Sequence, residues 1–161
     1  MATTTRAILE FLRDTLLPSV DGSASYVYDL SAAGAVKVGM PPRDGPEVVP
    51  SVYLWTDRCR YEHSGPASLR GYRKRLRVGV AGYVKPTDAD GDTRAGRLNA
   101  AADLGDDIAR AILENHRLDT GSTRLAQSVA LELTSLDGAE ANHPSGGIVF
   151  GHINITAILE G

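Results

Sequence analysis

The chain has 161 residues, 42% hydrophobic and 23% charged, which suits one globular domain able to bury a core without staples and excludes a disordered chain. Its net charge is -3 and Cys59 is its single cysteine, so nothing global draws it to nucleic acid or an acidic membrane, and no disulfide framework or cysteine metal site can form. Charges interrupt the apolar run of MATTTRAILEFLRDTLLPS and no stretch has the apolar length of a bilayer span, so the reading is of a soluble intracellular protein without signal peptide or membrane contact.

Ile8, Leu9, Leu12 and Leu16 share one face at helical spacing and predict a helix over 4–17, capped by Thr4 or Thr5 and stopped by Pro18. In 18–47 two apolar pieces, 26–30 and 35–38, read as short strands, followed by a loop over 40–46. Residues 48–56 read as a strand with Val48, Val52 and Leu54 on one face and Val49, Tyr53 and Trp55 on the other. Pro50 has no N–H, so that strand starts late or lies at an edge.

A long polar connection is expected over 57–71. Residues 72–84 then give the clearest strand: Leu76, Val78, Val80 and Val84 point one way, and Arg75, Arg77 and Tyr83 the other. The two strands and their connection form an extended hairpin. After a turn-rich link at 85–93 a second helix is expected over 94–116. Its apolar stripe is Leu98, Ala101, Ala102, Gly105, Ile108 and Ile112, and Asp92 or Thr93 caps it. Strands over 124–136 and 147–159 close the chain. The predicted fold is a single α+β domain over 1–161, a mainly antiparallel sheet with an extended hairpin and two helices packed on one face.

Little of this carries chemistry. Asp88, Asp90 and Asp92 open like a calcium loop, but Thr93 stands where the sharp turn needs Gly and Asn99 where a bidentate Glu belongs. An acidic turn capping the second helix is the simpler reading, with a calcium-dependent binding module as the lesser alternative. His63, His116, His143 and His152 show no metal-pair spacing. Arg58 and Arg60 flank Cys59, which would raise its reactivity, but a catalytic thiol also needs a base and the sequence does not place His63 within reach, so Cys59 reads as a loop cysteine among solvated arginines. No nucleophile elbow or phosphate-cradling loop is present. The expectation is a protein without enzymatic activity, cofactor or metal; a small enzyme built on Cys59 or a histidine is the competing class.

The basic strip stands out. Segment 57–77 holds Arg58, Arg60, Arg70, Arg73, Lys74, Arg75 and Arg77 against Asp57 and Glu62, a net +5, so the rest of the chain carries -8. Arg73, Arg75 and Arg77 alternate along one strand face as a ladder. An acidic protein partner is preferred over plain solvation, with DNA third, because the chain is net acidic and only 6% aromatic.

The order of parts resembles a family. An opening helix ends in Leu16-Leu17-Pro18; PSVYLW leads into a charged excursion and RLRVGVAGYV; AADLGDDIARAILEN, HRLDTGSTRLAQSVALELTSLDG and GIVFGHINITAIL follow. This layout is similar to the tail terminator proteins of long-tailed bacteriophages and, more broadly, to head-to-tail joining proteins. The match covers nearly the whole chain except 18–47. The resemblance implies a structural virion protein at the tail–neck junction, assembled in the host cytoplasm. Such proteins form a hexameric ring that caps the tail tube, stops its polymerisation and joins it to the neck. The implied partners are further copies of itself, the tail tube protein, a neck protein and, in contractile tails, the sheath protein, with DNA passing through the lumen without specific binding. Arg58, Arg60, Arg70, Arg73, Lys74, Arg75 and Arg77 are then expected at subunit, tube or lumen surfaces. Another neck or completion protein is the near alternative.

Overall fold

Ile8, Leu12 and Leu16 recur at helical spacing and all three are buried, which coils the N-terminal segment against the core. Helix α1 (Thr5–Phe11) widens into one broader helical turn, Leu12–Leu16, and closes in a tight turn, Leu17–Ser19. Pro18 sits at the start of that last turn, where a missing N–H removes no helical bond, so the coil runs past the expected stop. The chain is described by a computed structural model over residues 5–23, 25–63, 71–138 and 146–160. The expected cap Thr4, basic Arg70 and loop residue His143 lie outside the described residues.

One five-stranded sheet forms the body, in the order β1-β2-β3-β5-β4. Its strands are β1 (Val36–Val38), β2 (Ser51–His63), β3 (Gly71–Val84), β4 (Ser128–Gly138) and β5 (Gly147–Glu160), and helix α2 (Arg94–Glu114) joins β3 to β4. β1 runs parallel to β2 and every other pair is antiparallel. This is the expected α+β architecture with a mainly antiparallel sheet and an extended hairpin.

Register divides the sheet into two faces. Val52 and Leu54 of β2, Leu76, Val78 and Val80 of β3, and Val149, Ile153 and Ile155 of β5 line one face. They belong to one core cluster with Ile8, Leu12 and Leu17 and with Ala100, Leu104, Ile108 and Ile112 of α2. Each such large aliphatic side chain contributes about 1.5–3 kcal/mol on burial. This core face holds the fold together. The opposite, outer face carries a smaller cluster, Tyr53, Ala81 and Tyr83 with Trp55 and Ile148 against it.

Several expectations need correction. Segment 26–30 is not a strand, because the N–H groups of Val27 and Tyr28 go to the Asp107 carboxylate instead of a neighbouring strand. β2 begins only at Ser51, after Pro50, but continues to His63, so residues 57–63 of the expected polar connection are strand. A bulge at Asp57 lets Arg58, Arg60 and Glu62 pair with Arg77, Arg75 and Arg73. The expected stripe of α2 is buried at Ala101, Gly105, Ile108 and Ile112 but is broader than expected and omits Leu98. Leu98 is 44% exposed, while Arg97, Ala100, Leu104 and Ala111 face inward. Arg97 accepts burial because Asp92 meets it at 2.7 Å.

Candidate assembly surface on the arginine hairpin

Strand alternation and the bulge together build the site. On β3 the odd residues Arg73, Arg75 and Arg77 lie on the outer face, and the bulge at Asp57 brings Arg58 and Arg60 of β2 onto the same face. Arg58 faces Arg77 and Arg60 faces Arg75, like charges directly opposite, an arrangement that destabilises an isolated sheet. Glu62 relieves part of it, meeting Arg60 at 3.1 Å and Arg75 at 3.2 Å. Asp57 sits between Arg77 Nε, at 3.7 Å, and His152 Nε2, at 3.5 Å. Arg58 and Arg73 have no carboxylate partner among the described residues, and the buried Nε of Arg73 has no hydrogen-bond acceptor. Five arginines against two carboxylates leave this face positive.

Lys74 does not join them. It alternates to the core face, is 2% exposed and holds its ammonium 5.5 Å over the Tyr61 ring. Burial pushes its pKa below the ordinary lysine value, and the neighbouring Cys59 opposes that shift. Cys59 is exposed, and it is a strand residue rather than a loop one. Alternation turns its side chain away from Arg58 and Arg60, which removes the flanking-arginine argument for a reactive thiol.

The far end of the hairpin is exposed on its other face too. Tyr61 and Tyr72 are 59% and 49% exposed, and the His63 ring meets Tyr72 edge-on at 5.7 Å. Towards the other end the outer face turns aromatic. Tyr53 and Tyr83 pack edge-to-face at 5.9 Å, and the Trp55 indole lies across Gly79, where a side chain would overlap it. Phe150 pairs with Ala81 on this face and stays partly exposed. These aromatics alternate visibly in the sequence, but only the register with Gly79 and Ala81 joins them to the arginine ladder.

A second charged surface surrounds the start of α2. Thr93 caps the helix, accepting the Gly96 N–H at 3.0 Å, and Asp92 turns to Arg97. Asp90 accepts the Thr87 hydroxyl at 3.1 Å. The carboxylates of the calcium-like loop thus diverge, and among the described residues no three His, Cys, Asp or Glu side chains gather as a metal site. Asp103 has its pKa raised by burial first, then by Asp90, Asp106 and Asp107. The Tyr28 hydroxyl is pushed up to about 12 by burial first, then by Asp103, Asp90 and Asp107. The part of each shift that comes from the aspartates reports a locally negative field.

No family model matches the chain, and no curated protein matches it in sequence.

Proposed function

We propose that the chain is a structural virion protein of the tail terminator type, closing the tail tube of a long-tailed bacteriophage as a hexameric ring. The observation that carries this reading is the arginine hairpin: five arginines on one face and exposed Tyr61 and Tyr72 on the other. Arginine and tyrosine are the residue types enriched where proteins meet and concentrated in binding hot spots. The order of parts along the chain, with its likeness to tail terminators, supplies the specific assignment.

A ring needs two different patches on each copy, because a cyclic interface is heterologous. The basic hairpin and the acidic surface around α2 are two such patches. In this reading the ring seats on the last ring of tail tube protein and blocks further addition. It presents its other side to a neck protein, and to sheath protein where the tail contracts. DNA passes through the lumen without specific contacts. No catalysis is assigned; geometry and ring closure do the work.

The test is tube-length control. Candidate tube protein is allowed to polymerise with and without the chain, and tube ends are imaged by electron microscopy. Short tubes with a density on one end support the reading. Tubes of unchanged length with bare ends contradict it, and point towards a neck or completion protein that meets the tail elsewhere.

A further inference from the structure

Across residues 85–110, Asp88, Asp90, Asp92, Asp103, Asp106 and Asp107 stand against Lys85, Arg94, Arg97 and Arg110. Asp107 is spent on backbone N–H groups and Asp92 on Arg97. Asp88 and Asp106 are exposed and have no hydrogen-bond partner among the described residues. This acidic shoulder therefore keeps an excess of negative charge, as the outer face of the hairpin keeps an excess of positive charge.

The two cannot meet within one copy. Leu104 and Ile108 of α2 pack over Gly82, and Ala101 lies beside Gly147, so the shoulder sits on the core face at the Val84 end of the sheet. The arginines lie on the outer face around Arg75. Seven residues along β3 separate Arg75 from Gly82, roughly 23 Å at strand rise. At physiological salt, screening over about 8 Å removes most attraction at that range.

We infer that the arginine face of the hairpin docks on the acidic shoulder of a second copy of this chain, giving a head-to-tail contact. Charge complementarity selects this occupant: each surface keeps an excess of charge that its own ion pairs do not balance, and every copy carries both. Arg58 and Arg75 are the exposed basic contacts; Asp88 and Asp106 are the exposed acidic ones. The contact gives the proposed ring its subunit interface, and so rests on that reading for its closure but not for its pairing.

Charge reversal with rescue tests it. One variant carries Arg58→Glu with Arg75→Glu, another Asp88→Lys with Asp106→Lys, and their mass is followed by sedimentation at low and high salt. Cooperative thermal unfolding checks that each folds. The wild-type chain is expected to associate at low salt and dissociate at high salt. Each variant alone is expected to associate on the order of 100-fold more weakly, from like charge at the contact. Mixing the two restores association, because every contact is again opposite in sign. Variants that assemble like wild type overturn the docking while leaving a ring built on other surfaces. A wild-type chain that stays monomeric at low salt, and whose arginines instead retard duplex DNA, overturns it in favour of a nucleic-acid surface.

Discussion

Asp107 Oδ2 accepts the backbone N–H of Tyr28 at 2.9 Å, tying α2 to a segment 79 positions earlier in the chain. The same carboxylate takes the Val27 N–H at 3.0 Å. One buried side chain thus satisfies two backbone donors that would otherwise be stranded, since Val27 and Tyr28 have no strand neighbour among the described residues.

Replacing Asp107 tests this anchor. Asp107→Ala strands both donors and is expected to cost about 3 kcal/mol, from two charge-assisted bonds and the penalty for unpaired N–H groups. Asp107→Asn keeps one acceptor and loses less. Urea unfolding measures both; an Ala variant within ~0.5 kcal/mol of wild type would show that the segment is held by packing alone.

Gly79 and Trp55 form a second coupled pair. Any side chain at Gly79 overlaps the indole across the strand, so Gly79→Val must expel it from its seat. The expected result is a red shift of the fluorescence of the single tryptophan and a stability loss of about 1–3 kcal/mol, the usual range for overpacking. An unchanged emission spectrum would mean that Trp55 does not rest on β3.

Asp103 sets a pH dependence. Burial, then the neighbouring aspartates, raise its folded pKa above the unfolded value, so the folded state holds its proton more tightly. Ionising it therefore costs stability; the cost is fully present above the folded pKa and is relieved as pH falls below the unfolded one. Asp103→Asn is expected to be more stable than wild type at neutral pH, with the gain shrinking at pH values below the carboxyl range. Paired urea midpoints at neutral and acid pH check it. A gain independent of pH would assign the effect to packing.

Much of the sheet was legible because β3 from Leu76 to Val80 and β5 from His152 to Thr156 alternate apolar core residues with polar or small outer ones. The second half of β2 was not, since Arg58, Arg60 and Glu62 alternate with Cys59, Tyr61 and His63, which carries no apolar period. Its strand character comes from β3 alongside. The stripe of α2 was legible at Ala101, Gly105, Ile108 and Ile112, but its first turn was misread because Leu98 looked like a core residue and Arg97 did not; the pairing of Arg97 with Asp92 reverses that. Segment 26–30 looked like a strand because its partner, Asp107, is invisible to any local pattern. Of the candidate surface, Arg73, Arg75 and Arg77 could be aligned by counting residues. Placing Arg58 and Arg60 beside them required the bulge at Asp57, and excluding Lys74 required only the same alternation applied strictly.

The most direct test of the assembly reading is the mass of the purified chain by light scattering, alone and on tail tube ends. A particle of six 17.1 kDa chains, formed in solution or on the tube, is the predicted result. A chain that remains a monomer in both settings would contradict the ring.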